Sequence, residues 1–461
     1  MNLFPILSIT VPLLTALAAA LLKGTYSRTL LLSGSLLHLA FILKSVELRF
    51  SGRWIGLTSD YEATLLLLTS LLYLAVTVYC TFWLKAEETS DKSKMVLGIC
   101  LPLFLSTMTL VLFSQNYGVM WVAIEATTLF SAPLILFHRS GRALEAMWKY
   151  LLICSVGIGL ALLGTLFLAF AARNSGVVLH DLQIAEFLKI KNSLDPGWYK
   201  AAFVLALAGY GTKMGLAPFH TWLPDAHSEA PGAVSALLSA GLLNCSFVGI
   251  IRFAAAAPAQ VGSFCSNLMI VLGGISLATA AFFIIHQGDF KRMLAYSSIE
   301  HMGIAAIIFA LCGMDLTIAH LCAHSAVKMA LFLLAGNLLL ACGTRQVGKV
   351  SGLFTLMPRN AILFLAGTLL ICGVPPSPLF ITELKLLCSA PLWLALTVAV
   401  LLFIIFAGMT KNVLAMTMGK PGEAEVDAAP AEKLIWVPAA GLVAALALAV
   451  YFWTKFGGML K

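Results

Sequence analysis

The side chains of this chain whose types could carry chemistry crowd into one short stretch. Between Gly211 and Pro231 lie Lys213, His220, Asp225, His227 and Glu229, interrupted by Pro218, Pro224 and Pro231, with apolar sequence on both sides. Two chemistries fit such a set: relay of protons or other small cations between ionisable groups, and metal ligation by histidine with carboxylates. The metal reading lacks ligand spacing, because His220, Asp225, His227 and Glu229 flank Pro224 in a segment that reads as a loop, structural or gating. A charged side chain at bilayer depth costs about 3 kcal/mol on the mildest insertion scale, so it persists where water or a partner charge receives it. A backbone broken at Pro218 and Pro224 at that depth makes the same demand. The stretch has the character of an ion path.

The elements that must position these groups are membrane spans. The 461 residues are 60% hydrophobic and 11% charged, with a mean hydropathy of +0.96. That is far outside soluble ranges. The net charge of +8 comes without a basic arm or a patch interleaved with aromatics, which excludes nucleic acid as a partner. Windows of about 20 apolar residues give about fourteen spans, near 3–22, 28–44, 62–84, 95–113, 118–137, 147–171, 200–218, 232–254, 264–286, 293–312, 316–341, 361–386, 391–416 and 434–455. The first run has no basic start and is long enough to span, so it reads as a helix rather than a removable signal. If the spans alternate, Lys23/Arg28, Lys85/Lys92/Lys94, Arg139/Arg142, Lys291/Arg292, Arg345/Lys349/Arg359 and Lys420/Lys433 share one side. The positive-inside rule makes that side cytoplasmic and both termini external.

Two stretches do not span. Residues 174–199 carry Leu182, Ile184, Phe187 and Leu188 toward one side, as in a short interfacial helix. Gly419 to Lys433 reads as a solvated cytoplasmic loop. The ten cysteines fall mainly in apolar runs with no C-x-x-C pair, so they read as small buried hydrophobes and not as ligands of a redox centre. Asp289, Lys291 and Arg292 read as a cap on the cytoplasmic end of a span, and His38 and His286 as satisfied or interfacial residues.

A weak internal repeat runs through the chain. Ile124-Glu125 is echoed by Ile299-Glu300; Lys149 lies 24 residues beyond Glu125, and His324 lies 24 beyond Glu300. Each half then meets a proline-broken span, Lys213 with Pro218 in the seventh and Glu383 after Pro375, Pro376 and Pro378 in the twelfth. Spans four to eight repeated as nine to thirteen, in inverted sense, account for the order. The expected fold is an all-α integral membrane protein in a single domain over 1–461, with repeats at 95–254 and 264–416 and broken helices seven and twelve.

The words Trp121-Val-Ala-Ile-Glu125-Ala-Thr-Thr, Leu144-Glu-Ala-Met-Trp-Lys149-Tyr, the 211–237 segment, Lys291-Arg-Met-Leu-Ala-Tyr-Ser-Ser-Ile-Glu-His301 and His324-Ser-Ala-Val-Lys328 carry a resemblance. The chain resembles the antiporter-like membrane subunits shared by respiratory complex I, Mrp cation/proton antiporters and energy-converting hydrogenases, on the side of the hydrogenase-4 component F type, itself similar to chain 4 of complex I. The resemblance implies a proton path. Glu125 matches the glutamate of the fifth helix and Lys213 the lysine of the seventh; the carboxylate holds the lysine charged, and burial disfavours that charge once the carboxylate is neutralised. Lys149 on the sixth helix would compete for Glu125. His324 and Lys328 match the pair of the eleventh helix, and Glu383 matches the ionisable residue of the broken twelfth helix, on the exit side; histidine suits relay because its free pKa is near neutral. Complex I members usually carry a lysine on the eighth helix where this chain has Asn244, which binds water and takes no proton. A central path would then run through water or through His301 and His324, a departure that component F proteins share.

Beside these roles stand structural ones: an ion pair that fixes packing for Glu125 and Lys213, and a hydrogen-bonded core histidine for His301. Three functions compete. An ion-translocating subunit of a hydrogenase-type oxidoreductase complex is favoured, with membrane and peripheral partner subunits that carry nickel–iron and iron–sulfur centres. A cation/proton antiporter subunit without redox partners is second, as is a complex I chain 4 type subunit. The third is an inert scaffold or a quinone-binding redox subunit: the number of intramembrane charges opposes the scaffold, and no quinone pocket can be read from the sequence. With no paired cysteines and no Gly-rich nucleotide loop, the isolated polypeptide should bind no haem, flavin or cluster; stoichiometric flavin absorbance or metal in the purified chain would overturn this expectation.

Overall fold

Lipid offers no hydrogen bonds to a backbone, so a chain this apolar must satisfy its amides internally, and it does so as helices. The computed structural model describes residues 3–22, 27–50, 59–87, 90–176, 181–420 and 427–456. In order the helices are α1 Leu3–Leu21, α2 Ser27–Phe50, α3 Asp60–Ala86, α4 Asp91–Phe113, α5 Tyr117–Ile135, α6 Gly141–Asn174, α7 Ile184–Ile190, α8 Pro196–Met214, α9 Trp222–Glu229, α10 Gly232–Leu237, α11 Leu243–Ala255, α12 Gly262–Ile285, α13 Phe290–Cys312, α14 Met314–Cys342, α15 Leu353–Leu356, α16 Pro358–Ile371, α17 Pro378–Ser389, α18 Leu392–Thr417, α19 Ala428–Glu432 and α20 Trp436–Phe456. Among the described residues twelve runs, with α10 and α11 joined through a π turn at Leu238–Leu242, are long and apolar enough to cross a membrane. The remaining two windows of the sequence hold α8 and the α16–α17 pair.

The chain forms two compact units. The first comprises Met1–Leu74, Asp91–Trp222 and Gly241–Val271. Its tightest pairing, α6 on α8, rests on small residues that let backbones meet. A Cβ on Gly209 would stand 2.5 Å from the Ala161 amide nitrogen and 2.6 Å from the Gly157 carbonyl, and one on Gly164 would stand 2.8 Å from the Ala206 nitrogen. Asp195 caps α8 through the amides of Gly197 and Trp198 (2.8 and 3.0 Å), and these bonds hold its carboxyl below the usual carboxylate range. At the start of α3 and the end of α11, Glu62 and Arg252 form a buried ion pair at 2.9 Å. The guanidinium also donates to the carbonyls of Val111 and Leu112 at the end of α4, both at 3.0 Å. His38 is satisfied by Ser70 and Thr109 (2.9 and 3.1 Å).

The second unit comprises Ala75–Ser90, Leu223–Ala240 and Leu272–Lys461. It gathers around α14, which is buried along nearly its whole length. Gly232 of α10 meets Gly336 of α14 closely enough that a Cβ on the former would stand 2.6 Å from the Phe332 carbonyl. Asp289 caps α13 through the amides of Lys291 and Arg292 (2.8 and 3.1 Å).

Some expectations need correction. The segment after Pro224 is helical, in α9, because a proline in a helix's first turn sits where amides lack intrahelical acceptors anyway; the break itself lies at Gly215–Thr221. The interfacial helix is confined to α7, where Ile184 and Phe187 are buried. Of the expected loop Gly419–Lys433, residues 421–426, which include Glu425, lie outside the described residues, as does Lys23; Ala428–Glu432 is the short helix α19.

Gly209→Leu should force α6 from α8 and destabilise the protein by about 1–3 kcal/mol or more, whereas Gly159→Leu, with open space around its Cβ, should be neutral. Melting of the two variants in detergent, followed by tryptophan fluorescence, checks this; equal melting would refute the packing account.

Candidate functional site

The first polar cluster is built on α5, α6 and the end of α8. Helix α8 stops at Gly215, left-handed at φ 84°, and the amide of Leu216 returns to the Gly211 carbonyl at 2.8 Å. A side chain with a Cβ rarely adopts that conformation, so glycine is the residue that permits the stop. The Trp222 indole then donates to the Thr212 carbonyl at 2.8 Å, a second bond beside the one that carbonyl accepts from the Gly215 amide at 3.2 Å. The last turn before the break carries Lys213, fully buried.

Its ammonium donates to the Thr128 hydroxyl at 2.6 Å and to the Tyr150 hydroxyl at 2.7 Å, lies 4.5 Å from the Tyr150 ring centroid, and sits at a helix C-terminus, where the backbone dipole favours a cation. Tyr150 continues to Ser131 at 2.5 Å. Glu125, one turn before Thr128 on α5, accepts from Ser155 of α6 at 2.6 Å, and its other oxygen is buried without a hydrogen-bond partner among the described residues. Glu125 and Lys213 therefore share a cluster without direct contact; hydroxyls of α5 and α6 stand at both. Lys149 points elsewhere. Its side chain is 46% exposed and pairs with Glu145 at 2.6 Å along α6. Asn244 is buried on α11 just after the π turn, a helix irregularity often found at functional positions.

The second cluster lies in the other unit. His320, His324 and Lys328 recur every four residues and so share a face of α14. Against them stand Ser297, Glu300 and His301 of α13 and Thr382 and Glu383 of α17. His301 contacts the Ile371 carbonyl through Nε2 at 2.9 Å and turns Nδ1 toward Glu383 at 3.9 Å. Its ring centroid is 5.4 Å from that of His320 and 5.3 Å from that of His324. His320 meets the Thr382 hydroxyl at 2.9 Å. Lys328 donates to the Leu294 carbonyl at 2.5 Å and to Ser297. Neither ring nitrogen of buried His324 has a hydrogen-bond partner among the described residues. A buried polar group in that state is one that water or a proton carrier serves. The break behind Glu383 mirrors the first: Gly373 is left-handed at φ 69°, and Ser377 donates at 2.6 Å to the Leu370 carbonyl, which the Gly373 amide also reaches at 3.2 Å.

Of the residues singled out by sequence, Glu125 and Lys213 fall in the first cluster, His301, His324, Lys328 and Glu383 in the second. His320, Tyr150, Thr128 and Ser155 were not among them; for His320 the four-residue spacing to His324 and Lys328 is the signal. The acidic and basic groups of the α9 segment do not converge as metal ligands would. Asp225 pairs with Arg292 at 2.9 Å and Glu229 with Arg345 at 2.9 Å, while buried His227 stacks on Phe332 with centroids 4.7 Å apart. Lys291 is buried too and donates to the Ser228 carbonyl at 3.3 Å and to that of Ala230, which makes it a cap for the end of α9.

Residues 114–410 match the family described as NADH:quinone oxidoreductase/Mrp antiporter, TM, a range that contains both clusters. The chain is 36% identical over 323 residues to the hydrogenase-4 component F homologue of Methylacidiphilum infernorum (isolate V4), a match covering 68% of each protein. It is 30% identical over 338 residues to hydrogenase-4 component B of Escherichia coli (strain K12), over 70% of this chain and 49% of that longer one. A chain in the structure of the membrane-bound sulfane sulfur reductase, an archaeal respiratory membrane complex, has the same fold, with a TM-score of 0.85 at 21% identity and coverage of 98% and 96%.

Tyr150→Phe keeps the ring beside the Lys213 ammonium and removes one of its two acceptors. The variant should lose about 1–3 kcal/mol of stability, the cost of a buried donor left unmet, and Tyr150→Leu, which removes the ring contact too, should lose more. Melting of both variants in detergent checks the order, and equal melting of parent and Tyr150→Leu would show that the lysine does not depend on Tyr150.

Proposed function

The chain belongs to the NADH:quinone oxidoreductase/Mrp antiporter transmembrane family, and from that premise we propose that it moves protons or sodium ions across the membrane as the antiporter-like subunit of a hydrogenase-type oxidoreductase complex. The observation that carries the reading is Lys213. A fully buried ammonium at a helix break, held by neutral hydroxyls and not by a carboxylate, has a charge that depends on what stands near it. Glu125 is the nearby carboxylate that can set it. A proton delivered to Glu125 removes the charge that favours the ammonium, and the hydroxyls of Ser155, Tyr150 and Thr128 line the space between them. His301, His324, Lys328 and Glu383 form the corresponding path in the second unit. Neutral imidazole both accepts and donates a proton, which suits it to relay.

In this reading the chemistry that drives transport belongs to partner subunits with nickel–iron and iron–sulfur centres, and this chain sits in the inner membrane among other antiporter-like and small membrane subunits. The basic loops face the cytoplasm and both termini the exterior. The similarity to hydrogenase-4 components supports the redox-linked assignment over an antiporter without redox partners, and copurified partner chains would decide between them.

Glu125→Gln and Lys213→Met should each cut ion pumping per turnover at least several-fold in vesicles without loss of assembly, whereas Glu145→Gln, at the exposed end of α6, should pump like the parent. If both intramembrane variants assemble and pump normally, the pair is structural.

A further inference from the structure

Where α5 turns into α6, a cavity of about 610 Å³ opens between these helices and the start of α4. The Ser93 hydroxyl of α4 donates to the Phe137 carbonyl at 2.9 Å and pins the end of α5. The Arg139 amide returns to the Leu136 carbonyl at 3.0 Å, Arg139 itself is left-handed at φ 51°, and Ser140 caps α6 through the Ala143 amide at 3.0 Å. Among the described residues the charged lining of the cavity is Lys92 and Arg139, and its walls are apolar, with Val96, Pro133, Leu144 and Met147 among them. Glu145 lies next to Leu144 with its charge paired to Lys149.

Below the cavity, Leu144, Trp148, Leu152 and Val156 are exposed at four-residue spacing on α6. They form an apolar ridge of roughly 18 Å at the 1.5 Å rise of a helix. Two cations at a helix–turn–helix corner above an apolar cleft and a ridge that long match an anion joined to a hydrocarbon chain. We propose that this corner is a binding site for one anionic phospholipid, its phosphate between Lys92 and Arg139 and an acyl chain along the α6 ridge. A zwitterionic lipid would bring its own cation against the two in place, which gives the site its selectivity.

The test uses the complex purified from its membranes and re-lipidated with vesicles of phosphatidylglycerol, phosphatidylcholine or equal parts of both, with retained lipid counted by native mass spectrometry. The parent should retain phosphatidylglycerol about ten-fold or more over phosphatidylcholine, the order expected of two interfacial cations. Lys92→Gln with Arg139→Asn should abolish the preference, since asparagine tolerates the left-handed backbone at 139 while removing the charge; Lys92→Arg with Arg139→Lys should keep it. Val96→Trp, which fills the cavity and leaves both charges, should also evict the lipid. Retention unchanged in the neutral variant overturns the proposal. So does displacement of the lipid by millimolar inorganic phosphate, which would make this a free-anion site, or a photo-crosslink from position 147 to a partner protein in place of lipid.

Discussion

Two helix breaks inside a slab without water set the terms for everything else. Each break frees carbonyls that no solvent can reach, and an unmet carbonyl there costs several kcal/mol. The last turns tighten so that the Gly215 and Gly373 amides meet the carbonyls of Thr212 and Leu370, and the Trp222 indole and the Ser377 hydroxyl give the same two carbonyls a second donor. These closures also place the ionisable groups. Trp222 packs on Tyr150, ring centroids 4.9 Å apart, and Tyr150 is the acceptor for Lys213. Backbone satisfaction at the first break and the setting of the buried lysine are one arrangement. At the second, Gly373 lies against the Glu383 carboxylate, where any Cβ would collide with it.

The clusters differ in a way that bears on their chemistry. The first is lined by hydroxyls, which orient around a cation but do not take up a proton themselves at ordinary pH. Charge there must reside on Lys213 or Glu125. The second holds three imidazoles within a few ångströms of one another, each able to accept at one nitrogen while releasing at the other. Storage suits the one and relay the other. The pairs Asp225–Arg292 and Glu229–Arg345 tie α9 to the start of α13 and to the turn after α14, which keeps buried His227 in place beneath them.

The helices were legible in the sequence because each must be apolar over the thickness of a bilayer, and every apolar window carries a helix. The breaks were legible because proline and glycine cannot continue a helix in those positions. Facing was harder. A helix such as α14, buried on nearly all sides, has no solvent face to set its polar stripe against, so the place of His320 emerges when α13 and α17 are seen against it. Lys149 shows the reverse: its type and position relative to Glu125 suggest a contact, but three-dimensional packing gives it to Glu145 one turn away. Hydroxyl partners such as Thr128 and Tyr150 are invisible to a reading that starts from charge, since threonine and tyrosine are common in any span.

The buried pair of Glu62 and Arg252 says something about how the chain is threaded. Glu62 stands at the beginning of α3 and Arg252 at the end of α11, 190 residues apart. Tyr117 at the start of α5 donates to the Arg252 carbonyl at 3.0 Å, and Tyr199 near the start of α8 donates to that of Phe253. All these ends can meet at one face of the bilayer if an even number of traverses separates the first from the last. With α3 to α6 and the α10–α11 run each crossing once, parity demands that α8, its break and α9 together count as one full crossing. A hairpin there would have stranded the arginine on the opposite face from its glutamate.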